Sequence, residues 1–291
     1  MNFIFNLNAF SWKTMKPTLL GETTSTCLPR HPAVAYLFLV RPRVFVRQGM
    51  TSDASNLPKH LSTFPSEVRP APPSDEPFAA SLRGFGPVGL FAILLIVLTS
   101  VFKPLSAILV LVWAWRSHTP WREIGYVRPK SWLGSLAVGI VFGCAFKLLM
   151  KVIVMPLLGA PAVNPAYHYL AGNRAALPAI VFTMIVGAGF AEETLFRGYL
   201  FERLGKLFGT GAGAKVSIVL LTSVLFALGH YSNLGLPGVE QAMITGLAFG
   251  TIFAITEHIW MVMCAHAAFD LAAVAIIYWN LETAVAHLVF K

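Results

Sequence analysis

From residue 86 onward the chain sets long apolar runs between short polar breaks, and the period-2 alternation of exposed strands is absent. Residues 86–102 and 105–115 are apolar and parted by Lys103-Pro104. They read as two short spans or one kinked helix, because proline removes a helix donor. Residues 116–130 follow as an amphipathic connector. Residues 132–158 are long enough to cross a bilayer, with Lys147 and Lys151 one turn apart towards the far end. A polar, proline-containing loop, 159–174, leads into 177–208, a helix long enough to cross and continue. Residues 209–215 form a glycine-rich turn, 216–230 return through the membrane, and 231–238 break the helix with Asn, Gly and Pro. The segments 239–256 and 259–279 complete the series. This pattern predicts an all-α membrane protein, a polytopic bundle of about 7–8 transmembrane helices over residues 84–280, and excludes a barrel.

Residues 1–80 do not fit that pattern. Positions 34–46 are apolar but broken by Arg41, Pro42 and Arg43, too short and too charged to span. Residues 51–77 are rich in Ser, Pro and Asp, a composition that predicts disorder. Met50 opens that tract, so residues 1–49 read as the product of a start codon set too early, or as a targeting extension. They hold basic residues, Ser and Thr with only Glu22 acidic. A small-residue cleavage site behind a clean apolar core is missing, which argues against a secretory signal peptide.

Composition sharpens the membrane reading. Charged residues make up 12% of the 291 and apolar ones 56%, with a mean hydropathy of +0.67. Soluble domains carry roughly 25% charged residues. The formal charge of +9 suits loops facing anionic lipid, and no basic cluster with interleaved aromatics points to nucleic acid. Basic residues at Arg116, Arg122, Arg128 and Lys130 place the 116–130 loop in the cytoplasm, hence 159–174 outside and 203–215 inside. The three cysteines, Cys27, Cys144 and Cys264, are far apart, so neither a disulfide framework nor a thiolate metal site is expected.

Against this apolar background, the run Ala191-Glu192-Glu193-Thr194-Leu195-Phe196-Arg197 stands out. Ionised groups at membrane depth persist where they face a partner or a wet cavity. Glu193 and Arg197 have the i,i+4 spacing at which a carboxylate meets a guanidinium. Glu192, about 100° away on the helix, cannot share Glu193's direction and is expected to lack a cation and face a cavity. Desolvation brings an unpaired buried carboxylate towards neutral pH, the condition a general base needs. A structural ion-pair network fixing the helix register is the plainer alternative.

Two more polar clusters follow on separate apolar segments: Phe226-Ala-Leu-Gly-His230, and His266-Ala-Ala-Phe-Asp270. His266 and Asp270 are one turn apart, a spacing that lets the carboxylate orient the imidazole. Each cluster alone is as readily a packing feature. Together, polar groups in lipid are expected to converge. Thr194 and Ser232 are near in sequence, yet no nucleophile sits beside an obvious base, so water activation is expected and not an acyl-enzyme. Glu192 would take a proton from water with help from His230, and His266 would stabilise the oxyanion. No cofactor is expected. Should a metal be present, Glu192, His230 and His266 form a zinc ligand set, although the compact HExxH helix is missing.

These motifs, Glu192-Glu193-x-x-x-Arg197, Phe226-x-x-x-His230 and His266-x-x-x-Asp270 in this order, resemble the CPBP family. This family includes the type II CAAX prenyl endopeptidases and the bacteriocin-processing or immunity proteins (Abi). The likeness covers residues 121–278, with lesser echoes in Trp121-Arg-Glu-Ile-Gly125, Arg197-Gly198-Tyr199-Leu200 and His258-Ile-Trp260. It implies an intramembrane endopeptidase of glutamic type, a class often labelled metalloprotease, in a bacterial inner membrane, acting on a membrane-associated peptide or protein. By matching positions, Glu192 would be the base and Glu193 the partner of Arg197. His230 would assist at the water, while His266 and residue 270 would form the oxyanion site. The prenyl endopeptidases are similar at this last position but carry asparagine, whereas Asp270 donates only if protonated. Asp270 is therefore expected to orient His266. Two other classes compete: a non-catalytic immunity or adaptor protein of the same fold, and a proton-coupled transporter, for which the internal repeats are absent.

Overall fold

The computed structural model describes residues 76–290. The expectations for residues 1–75, disorder and an early start codon among them, lie outside the described residues. The described part is helical, with no strand among the described residues. Helix α1 (Pro77–Arg83) precedes the expected start of the bundle and is bent by 55° against α2 (Pro87–Val101). Then come α3 (Lys103–Arg116), α4 (Trp132–Leu157), α5 (Arg174–Phe208), α6 (Ala212–Leu228), α7 (Tyr231–Thr256), α8 (Ile259–Tyr278) and the short α9 (Glu282–Ala286).

The span count differs from the sequence expectation. Four helices, α4, α5, α7 and α8, are long and apolar enough to cross a membrane, five if α1 and α2 count as one broken span, against the expected seven or eight. Length is the reason. At about 1.5 Å per residue, the 14 residues of α3 and the 17 of α6 fall short of the roughly 30 Å hydrocarbon layer. Instead α2 and α3 form a hairpin. Its base is tied to α1 by Trp113, whose indole donates to the Leu82 carbonyl at 3.1 Å. Its tip is the non-helical Phe102, with Lys103-Pro104 beginning the next helix.

Local sequence sets the remaining boundaries. Ser131 caps α4 by accepting the Gly134 N–H at 3.0 Å. Within α7 the backbone breaks at Gly235, whose φ of 62° and ψ of −159° suit glycine alone, and Pro237 follows. The predicted break over 231–238 falls there. Helix α5 departs from ordinary helical winding: Thr183–Glu192 and Thr194–Leu200 are π-helical, a geometry found often at functional sites.

Helices α4 and α8 pack most extensively, and small residues make that possible. A Cβ on Gly143 would lie 2.1 Å from the Ala265 carbonyl oxygen, and one on Gly139 2.7 Å from Cys264 Cβ. Gly189 of α5 meets the same helix, where a Cβ would stand 2.8 Å from Ala267 Cβ. Phe249, Phe253, Val262 and Phe269 fill the core between α4, α7 and α8, while Val110, Trp113, Leu195 and Tyr199 fill that between α3 and α5. Outward-facing side chains such as Phe91, Leu133 and Val141 are apolar and exposed, as a lipid-facing surface requires.

Candidate active site

Helix α5 delivers Glu192 and Glu193 to one imidazole. Because α5 is π-wound, with i→i+5 bonding, successive side chains diverge by less than the 100° assumed from sequence. Both carboxylates therefore reach His266 of α8, one at each ring nitrogen. The His266 Nδ1–H donates to Glu193 Oε1 at 2.6 Å, and His266 Nε2 stands 3.7 Å from Glu192 Oε2. All three side chains are buried.

Glu193 is held from its other side by Arg197, as the i,i+4 spacing predicted: Nη1 donates to the same Oε1 at 2.8 Å. Arg197 also donates to the Gly246 carbonyl of α7 at 3.3 Å and lies over the Phe226 ring, 5.0 Å from its centre. Arg197, Glu193 and His266 thus form a buried chain in which the guanidinium fixes a carboxylate and the carboxylate fixes an imidazole. The expected partner of His266 is corrected accordingly. Asp270 is 3.8 Å from Nε2, too far for a hydrogen bond, so Glu193 orients the ring and not Asp270.

A second correction concerns Glu192. Lys103, at the tip of the α2–α3 hairpin, forms an ion pair with Glu192 Oε1, so the carboxylate is not denied a cation. Periodicity within α5 carries no information on a lysine supplied by another element. Its signal was nevertheless present, since Lys103 is the charge that interrupts the apolar run 86–115.

His230 follows the end of α6. Its Nδ1–H donates to the Phe226 carbonyl at 2.7 Å, which leaves Nε2 as an acceptor. Phe226 stands between the two imidazoles, with ring centres 4.6 Å from His230 and 5.8 Å from His266. Thr194 is engaged in structure: its hydroxyl donates to the Phe190 carbonyl at 2.7 Å and meets the Tyr126 hydroxyl at 2.7 Å. Burial pushes the Tyr126 phenol up to about 12, so it stays a neutral partner that ties the 116–130 loop to α5.

Glu192, His230, His266, Asp270 and Lys103 line one cavity of about 360 Å³, which Asn164 and Tyr167 of the 159–174 loop also border. Glu193 and Arg197 stand behind it. Sequence reasoning missed Lys103 and Gln241 among the polar lining residues. Among the described residues no group of three or more His, Cys, Asp or Glu is gathered as a metal-ligand set.

Comparison with known proteins bears on what such a site does. Residues 174–272 match the family model described as type II CAAX prenyl endopeptidase, Rce1-like, a stretch that contains all three motifs and about a third of the chain. No curated protein and no solved structure matches the chain. With its membrane-length helices, the chain is an integral membrane protein that carries, over residues 174–272, the sequence pattern of the Rce1-like CAAX endopeptidases, a protease family of the CPBP group.

Proposed function

We propose that this protein is an intramembrane endopeptidase that hydrolyses a peptide bond in a membrane-associated peptide or protein, using a water activated by Glu192. The observation that carries this reading is the facing of Glu192 Oε2 and His266 Nε2 across 3.7 Å at the wall of a cavity set among apolar helices. Lys103 holds Oε1, leaving Oε2 to take a proton from water. His230, fixed through Nδ1, offers Nε2 to the same water. The water oxygen then adds to the scissile carbonyl carbon. Negative charge develops on the carbonyl oxygen, where the Nε2–H of His266 in its imidazolium form donates to it. Collapse breaks the C–N bond, and the leaving nitrogen receives the proton from Glu192. Glu193 and Arg197 keep the imidazole aimed throughout.

The proposed location is a bacterial inner (cell) membrane. Glu192→Gln removes the proton acceptor while preserving shape. Cleavage of a membrane peptide library by the purified protein, read by mass spectrometry, is expected to fall at least about a hundredfold in this variant. Unaltered cleavage would overturn the assignment. The Lys103–Glu192 ion pair favours a second reading, a non-catalytic immunity or adaptor protein that uses the cavity for binding. Equal biological activity of wild type and Glu192→Gln would select it. Loss of cleavage under strong chelators, restored by Zn²⁺, would instead demand a metal mechanism.

A further inference from the structure

Lys147 has no part in the hydrolysis just described, yet it is a buried cation in the wall of the same cavity. It lies on α4, 7% exposed. Its ammonium donates to Gln241 Oε1 at 3.0 Å and sits 4.7 Å from the centre of the Phe269 ring. Lys151, one turn along, donates to the Ala162 carbonyl. An amide oxygen, a ring face and a backbone carbonyl offer dipoles or a quadrupole, but none brings a negative charge.

Among the described residues no carboxylate on the surrounding walls makes an ion pair with Lys147, although Asp270 is near enough to act on its charge. Asp270 lies 3.8 Å from His266 Nε2. Glu282 accepts the Asn164 N–H at 2.7 Å and pairs with His168 at 2.9 Å. Charged groups at membrane depth are retained where an opposite charge or a functional ligand reaches them. A buried ammonium without a carboxylate at contact is stabilised strongly by any anion that can arrive.

Access is built in. A second cavity of about 230 Å³ adjoins the first, and Lys147, Gln241 and Asn164 line both. Lys151 lines the second. Lys147 therefore stands where the space containing Glu192 meets a further chamber. Its ammonium has three N–H donors, and Gln241 takes one, so two remain for the two oxygens of a carboxylate.

We infer that Lys147, backed by Lys151, receives a carboxylate carried by the peptide that enters the cavity, and so selects an anionic peptide segment. This inference rests on the proposed function only in taking the ligand to be a peptide. A carboxylate reaches the site from two sources, the free C-terminus of the peptide or an Asp or Glu side chain. Either gives the same ion pair.

The test reads binding without turnover, in the Glu192→Gln protein in detergent micelles. Three N-acylated alanine tetrapeptides serve as probes: the free acid, the C-terminal amide, and an amide with one alanine replaced by glutamate. At least one anionic probe is expected to bind roughly tenfold tighter than the neutral amide. That preference should vanish when Lys147→Met is added and persist with Lys147→Arg. The favoured anionic probe identifies the source. Equal affinity for all three, binding of none, or a preference surviving Lys147→Met would overturn the inference. Should Lys147→Met fail to fold, Lys147→Gln takes its place, because Glu192→Gln also frees Lys103 in the same cavity. If the wild type cleaves nothing but shows the Lys147-dependent preference, the peptidase reading falls and the anion site stands.

Discussion

At the residue scale the site is a contest for one imidazole and one pair of carboxylates. Glu193 spends a single oxygen on both Arg197 and His266, which leaves Glu192 as the α5 carboxylate facing the cavity. Lys103 then decides how Glu192 is presented, because its ion pair holds one carboxylate oxygen and aims the other towards His266. Lys103→Met should therefore lower kcat about tenfold or more, equivalent to ~1.4 kcal/mol of transition-state stabilisation, with KM little changed. Lys103→Arg should restore much of the rate. Steady-state cleavage kinetics check this. A higher rate in Lys103→Met would make the lysine a brake. The glutamates, the arginine and both histidines were legible from sequence because ionisable side chains in apolar runs announce themselves. Lys103 was harder to read, since its partner lies on an element whose position no local spacing encodes.

Helices place these residues by close approach and by irregular winding, and neither is easily seen in hydropathy. The apolar runs were each legible as helices, and the break near Gly235 followed from Gly and Pro in sequence. The π-winding of α5 was not legible. It accompanies the close approach of α5 to α8 at Gly189, and it turns two adjacent glutamates onto one ring. The α2–α3 hairpin was not anticipated, because the two short apolar runs around Lys103-Pro104 read equally as two short spans or one kinked helix. Of the two α4 glycines that meet α8, Gly143 makes the closer approach. Gly143→Val would drive a side chain into the Ala265 backbone, where even a Cβ falls 2.1 Å from the carbonyl oxygen. One residue along α8 is His266. This substitution should cost about 1–3 kcal/mol through overpacking and reduce cleavage by displacing the imidazole. Thermal denaturation in detergent, read beside activity, tests it. A fully stable and active Gly143→Val protein would show that α4 and α8 are free to separate.

Taken as a whole molecule, the bundle has two chemically distinct ends. One is knit by Lys206 to Glu123 at 3.2 Å, Lys215 to Glu257 at 3.0 Å, and Ile259 N–H to the Gly125 carbonyl at 3.0 Å. The other is knit by Gly172 N–H to the Tyr278 carbonyl at 2.9 Å and by Glu282 to the 159–174 loop. Arg116, Arg122, Arg128, Lys130, Lys206 and Lys215 gather at the first end, whereas Arg174 stands at the second. An excess of lysine and arginine on short loops marks the cytoplasmic side. The cavity is bordered by Asn164 and Tyr167, so with the first end cytoplasmic the site is expected to open towards the outer leaflet. Exposed single cysteines at Ala166 and Thr210, with Cys27, Cys144 and Cys264 replaced, report it directly. An impermeant maleimide should label Ala166→Cys in intact bacterial cells and Thr210→Cys only after lysis. The reverse pattern would invert the molecule, and peptides would then reach Glu192 from the cytoplasm.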